Sequence, residues 1–353
     1  MASTVKKNFL MDVVLIRLLL IGLLIVYHAF AIHTHSWRAP YDTFVPIVAY
    51  DWFGMLTHIF QLEAMVFISG LLLGYKTAQN PESLNFQTCI IKKIKRILLP
   101  CIIFGIVYYL MFYDLTASPL YIVYRILNGC GHLWFLPMIF WCFVLMYMIK
   151  RFLPPPKLLK INKTILIIAV LFALVNPTVF LPFGLGTVGN FFLYFYIGFC
   201  IKCGWITIPS IKKRNMLISL VLFAISFIVF MFIRNAWEGE LVFGEKVIRY
   251  LINNTLRIIS ALSAIYILYG LANETKVIAY LERRPVLITL SGYCYGVYIY
   301  QQFILQVLYY KTSLPFIINE YWLPWLATLI TLVISLLLCH ITLKFRFGRF
   351  LIG

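Results

Sequence analysis

Apolar residues run along this chain in blocks of about 20, the length a helix needs to cross the hydrocarbon layer of a bilayer. About ten such blocks stand out, near residues 11–34, 51–75, 97–115, 131–150, 164–182, 189–206, 216–234, 248–271, 286–310 and 322–343. The linkers between them are short, the segment 76–96 being the longest. None has room for a soluble domain, and no internal repeat is visible. The pattern predicts an all-α fold: a polytopic transmembrane helical bundle of about ten spans, forming a single integral domain over residues 1–353.

Polar residues break this pattern in a few places. The first block, from Asp12 to His35, contains Arg17 and His28. Eleven positions apart, they are separated by about three turns and roughly 16 Å, so both project from one side of a helix with Ile21 and Leu24 between them. A titratable group inside hydrocarbon costs several kcal/mol and marks a functional position by default. Two structural readings compete. Arg17 lies near enough to the helix end to snorkel, and a histidine can serve as a helix–helix hydrogen-bonding residue. The second block opens with Asp51, Trp52 and His58, then carries Gln61 and Glu63 before Phe67, Ser69 and Gly70. Glu63 needs a partner, a proton or water. In the eighth block Asn253, Arg257 and Ser260 fall on one helix face. Glu63 pairs most simply with Arg257 or with Arg17.

Composition agrees with an embedded chain. Of 353 residues 63% are hydrophobic and 12% charged, and mean hydropathy is +0.92, whereas soluble domains are about half apolar and a quarter charged. The net charge of +18 has the size expected of a nucleic-acid binder. However, its basic residues punctuate apolar spans, as loop bias in a membrane protein requires, so no nucleic-acid partner is expected. One side collects Lys6 and Lys7, the cluster Lys92, Lys93, Lys95 and Arg96, Lys150 and Arg151, and Lys212 to Arg214. It also holds Arg283, Arg284 and the C-terminal Lys344, Arg346 and Arg349. The other side holds only Arg38, Arg125, Arg234, Lys246, Arg249 and Lys311. Both termini are therefore expected in the cytoplasm. The first block has no small-residue cleavage site and reads as a span rather than a cleaved signal. Cys200 and Cys203 form the only close pair among eight cysteines and read as helix packing, so no metal is expected.

Two further stretches carry possible chemistry. Lys92, Lys93, Lys95 and Arg96 run into Pro100 and the third span. Such a cluster either anchors to anionic lipid or grips a polyanionic ligand through its phosphates. Gly131, His132, Trp134 and Phe135 open the fourth span, where Trp134 fits an ordinary interfacial belt.

Together these pieces resemble the acyltransferase-3 family of bacterial membrane acyltransferases. The resemblance rests on Asp12, Arg17-x10-His28, Phe67-x-Ser69-Gly70, Lys93-x-x-Arg96 before Pro100, His132-Leu-Trp134-Phe135-Leu136 and Gly292-x3-Gly296-x-Tyr298. It implies transfer of an acyl group, acetyl above all, from acyl-CoA to a sugar hydroxyl of a surface polysaccharide or its lipid-linked precursor. The bacterial cytoplasmic (inner) membrane would be the location, with acyl-CoA (acetyl-CoA) as co-substrate and no bound cofactor. By position, the resemblance makes His28 the catalytic imidazole, with Glu63 beside it in the chemistry. Arg17, Lys93 and Arg96 would engage acyl-CoA, and Ser69, His132, Trp134, Arg257, Tyr298 and Gln301 would line the cavity or meet the acceptor. The chain departs from the family where Gln61 and Gln301 replace histidines and Lys93 replaces an arginine. The Phe60-Gln61-Leu62-Glu63 version is more like the subgroup that includes succinyl transfer onto glucans. A glycan exporter, flippase or other secondary transporter also explains ionisable groups along a path, but usually shows repeat symmetry or broken helices.

Overall fold

In a computed structural model, residues 2–79, 86–153, 155–208, 211–236 and 242–353 are described, and every regular element among them is helical. Within hydrocarbon a helix satisfies its own backbone polar groups, which is why apolar blocks of this length fold so. In chain order the helices are α1 (Ala2–Ala29), α2 (Val48–Gln79), α3 (Phe86–Lys93), α4 (Leu99–Phe112), α5 (Pro119–Asn128) and α6 (Phe135–Phe152). There follow α7 (Pro155–Val175), α8 (Leu185–Lys202), α9 (Lys213–Ala236), α10 (Phe243–Ala272) and α11 (Thr275–Glu282). The last are α12 (Pro285–Tyr310), α13 (Leu314–Ile317), α14 (Leu323–Lys344) and α15 (Arg346–Ile352). A π-helical turn, Ile94–Leu98, joins α3 to α4, and a 3₁₀ turn, Gly131–Trp134, leads into α6.

Among the described residues nine helical stretches are long and apolar enough to cross a membrane. The tenth expected span is α12, whose 26 residues reach about 39 Å at 1.5 Å per residue. Ser291, Gln301, Gln302 and several tyrosines make it less apolar than the others. Three boundaries moved for local reasons. The first helix stops at Ala29 rather than near 34, and the chain turns back through residues 30–37. The third span starts at Phe86, because α3 and α4 continue one another through the π-turn. The fifth expected span, α7, stops at Val175: Asn176 adopts a left-handed φ of 43° and precedes Pro177, a pair that ends helices.

The chain packs as two compact units. One holds residues 1–62 and 264–353. There α1 lies against α12 and α14 over a core of Phe30, Ile32, Leu305, Tyr309 and Leu323. Tyr309 donates its hydroxyl to the Ala29 carbonyl at 2.5 Å, satisfying one of the backbone acceptors that a helix end leaves open.

The other unit holds residues 63–263. Its centre is α6, with 72% of the spanning stretch buried, whereas only 22% of α7 and of α9 is. The large apolar side chains that α9 exposes, among them Leu217, Val221 and Phe232, suit contact with lipid. Against α8, α2 comes close enough to leave no room for side chains. A Cβ on Gly70 would lie 1.9 Å from the Phe195 carbonyl oxygen, on Gly74 2.5 Å from that of Phe199, and on Gly198 2.2 Å from that of Phe67. This is the small-residue contact by which membrane helices approach backbone to backbone.

Candidate active site

Where α1 ends, the fold holds a half-buried imidazole. The Trp37 N–H donates to the Ala31 carbonyl at 3.1 Å as the chain reverses. That turn lays the Trp37 ring nearly parallel to His28, with centroids 5.8 Å apart and an interplanar angle of 14°. From α12, which packs along α1, Gln301 brings its amide oxygen to 2.9 Å from His28 Nδ1. The preceding residue, Tyr27, stacks instead on His58 of α2, with centroids 4.0 Å apart and planes within 8°. Gln301 and Gln61 are both wholly buried. Arg17 lies three turns back, exposed and within electrostatic reach of Cys294 on α12. Arg17 and His28 thus both look toward α12, as their spacing predicts. Beyond the helix, the Ile47 N–H donates to His33 Nδ1 at 3.1 Å. Burial pushes that imidazole down to about 4, so it stays neutral.

In the other unit the intramembrane acid finds its partner. Arg257 Nη2 stands 3.2 Å from Glu63 Oε1, with the Glu63 side chain 4% and the Arg257 side chain 38% exposed. The second carboxylate oxygen, Oε2, is buried without a hydrogen-bond partner among the described residues. Ser260, one turn beyond Arg257, is bonded at 2.7 Å to Ser226 of α9. The polar stripe on α10 therefore serves two different neighbours.

Basic residues gather at one end of this second unit. Lys93 sets its ammonium 3.3 Å from the centre of the Phe143 ring, and Arg151 lies over Phe86 at 5.5 Å. Lys150 donates to Thr77 at 3.0 Å. Lys92, Lys95 and Arg96 are exposed. The π-turn runs through Lys95 and Arg96 and is closed by the Leu99 N–H donating to the Ile94 carbonyl. Pro100 follows immediately and has no N–H to return to that turn. Wide turns of this kind occur often at functional sites.

The remaining candidates are spread through the fold. Ser69 donates to the Met65 carbonyl of its own helix at 3.0 Å. Beside it, Gly70 is the residue that lets α8 approach. His132 is buried in the 3₁₀ turn with its ring edge-on to Tyr108, centroids 6.1 Å apart. That packing leaves no space for a Cβ on Gly131, which has a φ of 55°. Trp134 packs against Phe191. Tyr298 is buried, its ring parallel to that of Tyr295 at 6.4 Å. In the same motif a Cβ on Gly296 would meet Cys339, whereas Gly292 faces open space. Cys200 Sγ and Cys203 Sγ donate to Asn162 and to the Gly74 carbonyl, so both act in packing. Among the described residues no group of three or more His, Cys, Asp or Glu could hold a metal ion.

Sequence reasoning missed Trp37, Tyr27 and the contribution of His58. An aromatic nine positions after His28 carries no signal that separates it from an interfacial belt residue, because the reversal of chain direction is what brings it back. Chemically, the His28 group offers an oriented imidazole held between a ring face and an amide. The basic end of the other unit offers cations for phosphate.

No curated protein and no solved structure matches this chain. The family model described as an acyltransferase domain, acyltransferase-3, matches residues 12–344, from just before Arg17 to the end of α14. A match over nearly the whole chain, on an all-helical membrane fold, makes this an acyltransferase of the membrane-embedded acyltransferase-3 family.

Proposed function

We propose that this enzyme moves an acyl group, acetyl or succinyl, from a cytoplasmic acyl-CoA to a hydroxyl of a cell-surface polysaccharide or its lipid-linked precursor. It would work in the bacterial cytoplasmic membrane with both termini inside, the orientation that the distribution of Lys and Arg supports. The observation that carries this reading is the His28 imidazole, held by Gln301 at 2.9 Å and faced by Trp37, in a chain of an acyltransferase family. His28 takes the proton of the acceptor hydroxyl as its oxygen attacks the thioester carbonyl. The new C–O bond forms, the C–S bond breaks, and the departing CoA sulfur receives the proton back from the imidazolium. Arg17 and the Lys93 and Arg96 cations meet the anionic donor.

The test is acyl transfer by purified enzyme in proteoliposomes, read as the mass increment on the glycan. His28→Ala is expected to lose about a hundred- to ten-thousand-fold in rate while remaining inserted and able to bind CoA. Near-normal acylation by His28→Gln would remove His28 from the chemistry. Glycan movement across the bilayer without an increment would point instead to export.

A further inference from the structure

We infer that Gln301 is a positioning residue that selects the tautomer of His28, making Nε2 the basic nitrogen. This rests on the reading of His28 as the general base. A glutamine amide oxygen can only accept a hydrogen bond, and a neutral imidazole has one N–H and one lone pair. With Gln301 Oε1 at 2.9 Å from His28 Nδ1, the proton belongs on Nδ1 and the lone pair on Nε2.

The surroundings make this bond consequential. Gln301 is wholly buried on α12, and its amide nitrogen has no hydrogen-bond partner among the described residues. Turned the other way, the amide would donate to Nδ1 and force the proton onto Nε2, leaving a base pointed back into the helix packing. The Trp37 ring, nearly parallel to the imidazole, restricts rotation of His28 out of this plane. The amide thus decides whether Nε2, the nitrogen turned away from it, carries the lone pair or the proton, without touching the reacting atoms. A carboxylate orienting a histidine in a hydrolase does the same job with a charge. Here a neutral group does it within hydrocarbon, where an unpaired carboxylate would be costly.

Nitrogen-15 NMR of the histidine-labelled, full-length enzyme in nanodiscs reads the tautomer directly, with His28→Ala assigning the signal. The wild type is expected to show His28 protonated on Nδ1. Gln301→Glu keeps an acceptor at the same place and should hold the proton on Nδ1, with a smaller loss of kcat than a residue that offers no such acceptor. Gln301→Met, of similar length but with only a weak thioether acceptor, should give mixed tautomers and a fall in kcat of ten-fold or more with little change in KM for acyl-CoA.

An Nε2–H signal in wild type, or an unchanged tautomer and kcat in Gln301→Met, would overturn the inference. Equal losses in the Glu and Met variants with the tautomer unchanged would do so too, since they would reduce Gln301 to packing. The NMR result stands whether or not His28 is the base. If the tautomer follows residue 301 while His28→Gln still acylates the glycan, the functional reading fails and the tautomer assignment survives.

Discussion

Arg257 on α10 reaches Glu63 on α2 with a single 3.2 Å contact between Nη2 and Oε1. The contact leaves the second carboxylate oxygen buried without a hydrogen-bond partner among the described residues. Breaking a buried pair by removing one member costs about 3–5 kcal/mol, because the survivor keeps its desolvation penalty. The partial exposure of Arg257 places this pair toward the lower end. Arg257→Ala is therefore expected to lower thermal stability in detergent more than the double variant Glu63→Gln with Arg257→Gln, which leaves no unpaired charge. Equal melting temperatures for the two would show that Glu63 is protonated and indifferent to its neighbour.

A second expectation concerns the seam between α2 and α8. An alanine at position 70 places a methyl group on the Phe195 carbonyl. Overpacking typically costs about 1–3 kcal/mol, and more where backbone must move. Gly70→Ala should accordingly reduce the yield of folded protein and the melting temperature. Gly22→Ala and Gly292→Ala, at helix positions with no atom within 4 Å of the added carbon, should lower neither. A stable Gly70→Ala variant would mean that the helices separate at little cost.

The third expectation bears on the basic end. Lys93→Ala combined with Arg96→Ala should raise the KM for acyl-CoA by removing cations from the phosphate path. Because Lys93 also covers the Phe143 ring, worth roughly 0.5–2 kcal/mol, the pair should be compared with Phe143→Leu. That substitution removes the ring and keeps both charges. Normal donor kinetics in a well-expressed double variant would assign the cluster to lipid anchoring.

Much of this was legible before the fold was known, and for definable reasons. The helical repeat puts Arg17 and His28 on one face, and the structure turns both toward α12. Hydropathy reports that a residue lies in a span but not which helix stands beside it. For that reason Glu63 could be seen to need a counterion, while the choice between Arg17 and Arg257 required the packing. Trp37 escaped because a reversal after α1 is set by tertiary contacts such as that of Tyr309 with Ala29. Gly70 was visible as part of a motif, but its work as a helix contact emerges only with the Phe195 carbonyl in place. Asn176 with Pro177 could have marked the end of α7 earlier, since both residues carry that signal locally.

The π-turn at Ile94–Leu98 amounts to one residue stored within a helix. Removing a single amino acid there would restore ordinary winding. Because the wide turn absorbs that residue, the helix on either side would keep its facing, and Lys92 and Lys93 would stay aimed as they are relative to Pro100. The same deletion within α4, where no wide turn absorbs it, would swing everything on its N-terminal side by about 100° around the axis. The π-turn is thus a place where chain length can change by one residue without re-aiming the cations.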